Sequence, residues 1–502
     1  MPDSSQPRFK PPRRRSRNQR APSLVLVETY KTADWQRVVD NLKDSWSGAA
    51  ISLTLHAIVL LGLTFFAVYT PVEEFEPLEL GWSTVVNRQQ EPETVSVIEP
   101  ITLPVVSTND KASLPKVPEK NTPDENERSE SNDEVQLADV SAALKLRAAT
   151  REHGQSPQQA GIGRQAIEDA LDWIVRQQQA DGSWQLTGPY PDAGTVETQT
   201  GATSLALLAL LGDGQTHRHG RFQSQVEAGL RWLVNVQHAD GDLFDIEEEG
   251  REAHFYAHAM GTIVLCEALA LTGDEALRQP AQMAVQFLAD AQNPVLGGWK
   301  YRPLNADGIG DLSVTGWALM ALHSARIAQL EIDEQAFQIA RQFLNAVQEE
   351  ASNRAYYKYR PDFPIEEAQR HSMTAEGLLC RQWLGWPKHE PALKRGIAFL
   401  LAMQNQPEWK PYRRNVYAWY YTAQTLHNLG GADWENWFAQ ILPMLVEQQQ
   451  QSGKLRGSWH PTKPPGAFQE RSQDAGRLYV TVMCVLILET PYRHAPLYGL
   501  RE

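Results

Sequence analysis

The sequence predicts an all-α fold in which six helical hairpins close into a ring, and three observations support this prediction. A phrase with a large apolar residue, usually aromatic, and a glutamine five positions later occurs six times, at intervals of 46 to 59 residues. A strongly apolar segment centred on a threonine alternates with it. Neither end of the array carries an obvious polar capping unit, which a linear stack of repeats would need.

The first repeated element is exemplified by LDWIVRQQQADGSW at residues 171–184. Its six copies pair Trp173 with Gln178, Trp232 with Gln237, Phe287 with Gln292, Phe343 with Gln348, Phe399 with Gln404, and Leu445 with Gln450. Four copies end in a glycine-containing tail, namely Gly182-Ser-Trp184, Gly241-Asp-Leu243, Gly297-Gly-Trp299 and Gly457-Ser-Trp459. Charged and apolar residues interleave at helical spacing, so we expect amphipathic outer helices. A glutamine at a helix end can hydrogen-bond backbone groups that lack helical partners, which makes the phrase structural.

The second repeated element is apolar around most of its circumference, as expected for a helix that other helices enclose. Its six threonines are Thr203, Thr262, Thr315, Thr374, Thr422 and Thr481. Six units of two helices follow, and closing the array buries the apolar faces that a linear stack would leave exposed at its ends. We therefore predict an α/α toroid with six inner helices ringed by six outer ones.

The repeat resembles that of squalene–hopene cyclases and protein prenyltransferases in the terpenoid cyclase α/α-toroid superfamily, as found in membrane-anchored bacterial proteins that carry prenyltransferase/squalene oxidase repeats. The resemblance spans roughly residues 160–495. It implies the toroid fold and a structural role for the repeat.

Four segments are predicted along the chain. Residues 1–47 form a basic cytoplasmic segment, with ten Lys/Arg against five Asp/Glu. Residues 48–70 form a transmembrane anchor around the uncharged run 49–69, which is about long enough to span a bilayer. Residues 71–134 form a disordered linker with fifteen Asp/Glu and eight prolines, and residues 135–502 hold the toroid. Because the positive charge precedes the anchor, we expect a single-pass protein of the bacterial inner membrane with the toroid in the periplasm; a cleaved signal peptide is the alternative.

The predicted anchor contains Ser52 and His56, one helical turn apart. This pairing, followed by a Pro/Glu-rich spacer, resembles TonB-type energy-transducing anchors and implies a membrane-protein partner. The alternative is a neutral histidine that hydrogen-bonds within its own or a partner helix.

The composition excludes several other classes of protein. The net charge of −14 argues against a general nucleic-acid surface. Three distant cysteines, Cys266, Cys380 and Cys484, provide neither a disulfide framework nor a metal-binding spacing. No cofactor is expected.

Candidate ligand-binding residues lie where the inner helices begin, because equivalent positions of parallel helices surround one mouth of a toroid. Four residues before each threonine the chain has Gln199, His258, Asp311, Arg370, Ala418 and Arg477. Arginines and helix N-termini at one mouth favour an anionic ligand. The alternative is that the arginines pair with acidic residues and hold the rim together.

Known catalytic motifs of the resembled superfamily are incomplete. Asp311-Leu-Ser313-Val314-Thr315 aligns with the Asp-x-Asp-Asp-Thr motif of class II terpene cyclases, but Ser313 replaces the aspartate that acts as proton donor in that family. No cysteine follows an aspartate by two positions, so the zinc motif of protein prenyltransferases is absent as well. His254 and His258 have the helical spacing of a metal pair, but no third ligand can be named, so no metal is predicted.

Two functions therefore remain. The first is a membrane-anchored binding or interaction module for a lipid, an isoprenoid or an anionic ligand. The second is an enzyme of altered chemistry, such as a lyase or a terpene cyclase-like enzyme, in which Asp311, His258, Tyr417 and Arg370 would act as acid, base and anchor.

Overall fold

The structure, a computed structural model, describes residues 157–244, 253–303, 309–349 and 355–498. These all fall in the second of two compact units, Thr122–Glu502. The predicted N-terminal segment, the anchor with Ser52 and His56, and the linker lie outside the described residues. The described helices are α1 Pro157–Val175, α2 Gln199–Gly212, α3 Gln223–Val236, α4 His254–Thr272, α5 Arg278–Asp290, α6 Leu312–Ile327, α7 Glu334–Val347, α8 Glu367–Trp383, α9 Pro391–Leu400, α10 Val416–Leu429, α11 Gly431–Gln448 and α12 Ser472–Arg493.

The even-numbered helices form a closed inner ring. Each packs against the next even-numbered helix, and α12 packs against α2 to complete the circle. The odd-numbered helices pack on the outside of this ring, and α11 contacts α1. The predicted all-α toroid of six hairpins is therefore confirmed for the described part of the chain.

Glutamines of the first three copies of the repeat tie neighbouring units together. Gln178 Nε2 donates to the carbonyl oxygen of Gly182 in its own turn, at 2.8 Å, and to that of Gln225 on the next outer helix, at 2.9 Å. Gln237 and Gln292 make the same pair of bonds one and two units later. The first bond of each pair satisfies a carbonyl group of the turn that follows the helix, and the second joins that turn to a carbonyl group in the first turn of the next outer helix.

The last unit closes the ring with the same device, shifted by one residue from the prediction. Gln449, rather than Gln450, donates to Gly457 O at 2.9 Å and to Ala166 O on α1 at 2.7 Å. Gln450 is exposed. The sixth unit is therefore hydrogen-bonded to the first in the same way as the first is to the second.

The glycines of the tails permit this close approach. Gly457 has φ +94°, and a Cβ atom there would lie 1.9 Å from Asp169 O on α1. Gly182 has φ +101°, and its Cβ would lie 2.5 Å from Ala228 O on α3. Only glycine combines this backbone conformation with such contact between backbones.

The threonines connect each tail to an inner helix. Thr203, Thr315 and Thr481 accept hydrogen bonds from the backbone N–H groups of Trp184, Trp299 and Trp459, at 3.0, 3.1 and 3.2 Å. These three tryptophans have no exposed surface beyond 1%. The repeated phrase is thus a structural element.

By length and composition, one described helix could cross a membrane, namely α4, with a mean hydropathy of 1.4. It is an inner helix, and 78% of its most apolar 18-residue stretch is buried inside the protein. Its apolar character is explained by the neighbouring helices that enclose it.

Cys266, Cys380 and Cys484 are free, buried thiols on inner helices, and burial raises the pKa of Cys380 and Cys484 above the ordinary value.

Candidate functional site

Three tyrosines define a candidate cup at the end of the ring where the inner helices begin. Tyr256 on α4, Tyr417 on α10 and Tyr479 on α12 are deeply enclosed by protein, yet each keeps surface that solvent can reach. Enclosed side chains with accessible surface line a cavity. Tyr256 and Tyr417 also lie close enough for their charges to interact, although α4 and α10 stand on opposite sides of the ring.

The cup has a floor, because side chains meet across the middle of the ring. Trp317 on α6 stacks with Tyr420 on α10, with ring centroids 5.8 Å apart, although α8 separates these two helices. Further along the axis Arg493 on α12 pairs with Glu267 on α4 at 3.1 Å, across α2. The interior is therefore a cup rather than an open channel, and a long hydrocarbon chain would have to displace these buried groups.

A chain of hydroxyl groups connects the cup to the first buried acid, Asp311. The Tyr256 hydroxyl lies 2.5 Å from Ser313 Oγ, which donates to Asp311 Oδ1 at 2.8 Å. Asp311 is the N-cap of α6, and the same oxygen accepts the N–H of Val314 at 2.9 Å. Burial raises the pKa of Asp311 to about 6, although these hydrogen bonds and the nearby Tyr359 hydroxyl favour the ionised form. Such a group can change its protonation state near neutral pH.

A second buried acid, Glu376 on α8, stands behind Tyr417. The Tyr417 hydroxyl donates to Glu376 Oε2 at 3.0 Å. Glu376 Oε1 faces Gly316 on α6, where a Cβ atom would lie only 2.0 Å away, so the glycine provides the space for this carboxyl group. Burial, supported by the charge of Asp311, raises the pKa of Glu376 well above its usual range. Burial therefore favours the protonated form of Glu376.

We name these residues the acid–tyrosine cluster: Tyr256, Tyr301, Asp311, Ser313, Tyr359, Glu376, Tyr417 and Tyr421. Two of its carboxyl oxygens, Asp311 Oδ2 and Glu376 Oε1, are buried and have no hydrogen-bond partner among the described residues. The Tyr421 hydroxyl is close to Glu376 but is likewise unpartnered. Buried polar atoms of this kind are rare and are usually satisfied by a water molecule or a ligand.

The cluster contains three of the residues predicted from the sequence. Asp311 and Ser313 are hydrogen-bonded to each other, and Tyr417 joins them through the electrostatic coupling of Glu376 with Asp311. The remaining predicted residues, Gln199, His258, Arg370 and Arg477, engage other partners.

His258 belongs to the framework of the ring. Its Nδ1 atom accepts the N–H of Leu243 at 3.2 Å, in the position that threonine occupies in other units, while Nε2 lies 3.1 Å from Ala284 O. Asp242 lies beside both His258 and His254, at 3.3 and 2.6 Å. Burial opposes ionisation of Asp242, but the neighbouring His254 and His258 lower its pKa below the ordinary value. Within the described residues, no group of three or more side chains is arranged to hold a metal ion.

The predicted rim residues are also engaged. Gln199 Nε2 donates to Ser183 Oγ at 2.6 Å. Arg477 is 1% exposed and donates to Pro191 O and Ser458 Oγ, both at 3.0 Å, and pairs with Asp192.

Arg370 pairs with Glu367 on its own helix, and its guanidinium lies 5.3 Å from the Tyr356 ring centroid. These contacts match the alternative in which the arginines pair with acidic residues at the rim.

Sequence reasoning missed Glu376, which is as fully buried as Asp311. The sequence shows a serine, Ser313, at the proton-donor position of class II cyclases, whereas the structure places a second buried acid, Glu376, near Asp311 in the interior. The available signal was a glutamate two residues after Thr374 in an otherwise apolar inner-helix segment, SMTAEGLLC. A charged residue in such a place is costly unless it is neutralised or used.

Fold and site together define the protein as a closed α/α toroid that carries a cup lined by tyrosines and supported by two buried acids. Neither a known protein family nor a curated protein matches the sequence. Among solved structures, a type II terpene cyclase from Scytonema is 12% identical with a TM-score of 0.44, and the alignment covers 67% of this chain and 99% of the cyclase. An α-1,6-mannanase from Salegentibacter is 12% identical with a TM-score of 0.46, covering 66% and 98%. At this low identity and TM-score, neither activity can be assigned to this chain. The assignment of the toroid fold depends on the contacts between its own helices, which close the ring.

Proposed function

We propose that the chain is a membrane-anchored periplasmic binding module whose cup holds a compact, neutral ligand rich in hydroxyl groups, such as a sugar residue. The observation that carries the proposal is the pairing of two cup-lining tyrosines with buried acids, Tyr256 with Asp311 through Ser313 and Tyr417 with Glu376. The tyrosine rings offer stacking faces, and their hydroxyls can exchange hydrogen bonds with ligand hydroxyls.

Two features favour this ligand class over the lipid or anion that the sequence suggested. Trp317 and Tyr420 close the centre of the ring, which leaves little room for a long hydrocarbon. Two buried carboxyl groups, Asp311 and Glu376, lie beside the cup and disfavour an anion there, and Arg370 and Arg477 already pair with other carboxylates. The anchor at 49–69 remains the basis for the proposed location.

Saturation-transfer NMR on the full-length chain in detergent tests the proposal, with glucose, mannose and N-acetylglucosamine as neutral probes and glucuronate and farnesol as comparisons. We expect transfer to a neutral sugar that is lost in Tyr256→Phe and Tyr417→Phe, because each change removes one hydroxyl and costs roughly three- to tenfold in affinity. Tyr412→Phe, at an exposed tyrosine outside the cup, is the matched control. Absence of binding by every neutral sugar, or farnesol binding that the two cup variants do not alter, would overturn the proposal.

The pKa of Asp311 supports a second candidate, an enzyme that acts on the same ligand by proton transfer. An acid with a pKa of about 6 that reaches the cup through Ser313 and Tyr256 can take up or release a proton near neutral pH. Incubation with the sugar that binds, followed by mass spectrometry, distinguishes the two: a product that wild type forms and Asp311→Asn does not indicates an enzyme.

A further inference from the structure

Three strongly exposed apolar side chains gather at one side of the rim. Met403, Tyr412 and Phe468 are 87%, 75% and 75% exposed. Among the described residues, Val295 is the only other large apolar side chain above 70%, and it belongs to a different unit of the ring. Exposed apolar groups that cluster in this way mark an interaction surface more often than scattered ones do.

Hydrogen bonds join the three segments that carry these side chains. The N–H of Tyr412 donates to Pro465 O at 2.8 Å, and the N–H of Ala467 donates to Arg414 O at 2.7 Å. Arg413 Nη2 donates to Gln404 O at 2.7 Å, next to Met403. The two loops that lead into α10 and α12 therefore lie side by side, at the end of the ring where the cup opens.

The base of the patch is rigid. Arg414 and Glu470, one from each loop, form an ion pair at 2.6 Å in which neither side chain is exposed. Tyr412 adopts φ +59°, a conformation that costs energy in a residue with a side chain. The surrounding structure therefore keeps Tyr412 in a backbone conformation of higher energy, with its side chain exposed.

Basic side chains surround the apolar centre. Lys410, Arg413, Lys463 and Arg471 are exposed, and the Arg471 guanidinium lies 5.2 Å from the Phe468 ring centroid. Two acids accompany them: Glu408 lies 3.4 Å from Lys410 and 3.5 Å from Arg413, and Asp474 lies 3.4 Å from Arg471. Four positive charges against two negative ones leave the patch with a net charge of +2, in a chain whose net charge is −14.

We propose that this basic–aromatic patch docks the toroid on an anionic lipid surface. Aromatic and apolar side chains insert at the level of the headgroups, and each lysine or arginine nearby adds attraction to acidic lipids. The opposite signs of the patch and of the whole chain explain why this side of the rim, rather than another, would face the bilayer. Docking would place the opening of the cup beside the headgroup layer.

The test uses the full-length chain reconstituted in vesicles, with a fluorophore on Met403→Cys and a shallow spin-labelled phosphatidylcholine as quencher. The three native cysteines are buried, so the introduced thiol is labelled selectively. A label on Lys388→Cys is the matched control, because this exposed residue follows the C-terminal end of α8, away from the cup opening. We expect quenching at position 403, but not at 388, in phosphatidylcholine–phosphatidylglycerol vesicles.

Two further comparisons assign the quenching to the patch. Lys410→Gln or Lys463→Gln should shift the ratio of docked to free toroid roughly fivefold each toward the free state. Vesicles of phosphatidylcholine alone, and the double variant Tyr412→Ser/Phe468→Ser, should show weak quenching. Equal quenching at 388 and 403, or quenching at 403 that responds to neither lipid charge nor these variants, contradicts lipid docking, as does no quenching at all. None of these readouts depends on what the cup binds.

Discussion

Replacing Asp311 by asparagine tests whether a buried carboxyl group with a raised pKa sits beside the cup. The folded pKa of about 6 lies above the ordinary value of 3.8. As the pH rises, the unfolded chain therefore loses this proton first, so the folded state loses stability between about pH 4 and pH 6 and does not recover it above that. The full loss amounts to about 3 kcal/mol.

Asparagine keeps the shape and the N-cap oxygen but cannot ionise. The stability of Asp311→Asn relative to wild type should therefore increase with pH, by about 1.3 kcal/mol between pH 5 and pH 7. The change with pH is the informative quantity, because the asparagine amide also alters the free energy of unfolding by an amount that does not depend on pH.

Urea unfolding of the full-length chain in detergent, followed by tryptophan fluorescence, measures this difference. Asp333→Asn is the matched control, because Asp333 is an exposed N-cap whose side chain accepts the N–H of Gln335 at 2.9 Å. A stability difference between Asp311→Asn and wild type that is equal at the two pH values would refute the reasoning, and so would a variant that becomes less stable relative to wild type as the pH rises.

Two further predictions concern the framework. Gln449→Ala should lower the free energy of unfolding by about 1–3 kcal/mol, because it removes the buried bonds that join the last unit to Ala166, whereas Gln450→Ala should have almost no effect. Equal effects of the two changes in urea unfolding would contradict this account of ring closure. Arg477→Ala should cost about 1–3 kcal/mol, since it removes a buried guanidinium that donates to Pro191 O and Ser458 Oγ, and Arg370→Ala no more than about 0.5 kcal/mol, since its ion pair is with an exposed glutamate. Thermal unfolding of the two variants checks this difference, and similar melting temperatures would count against it.

The repeats alone were sufficient to predict the fold. Six glutamine phrases and six apolar threonine segments define alternating outer and inner helices because helical periodicity is a local property that the sequence displays directly. Closure followed from the absence of polar caps, and the contacts of Gln449 and Gly457 with α1 show how the ring closes. The register of the sixth copy could not be predicted, because Gln449 and Gln450 are adjacent and only their orientation distinguishes them.

The candidate site was decided by tertiary structure. Asp311 and Ser313 were visible through their spacing, but Glu376 was not, because its meaning depends on α6 and α10, which meet it from distant parts of the chain. The arginines that looked available from the sequence are paired, one with a neighbour on its own helix and one with a loop from the first unit. A sequence specifies which face of a helix is apolar, whereas the packing of the helices in the ring determines which polar side chains are buried together. Burial in that interior is what raises the pKa of both acids.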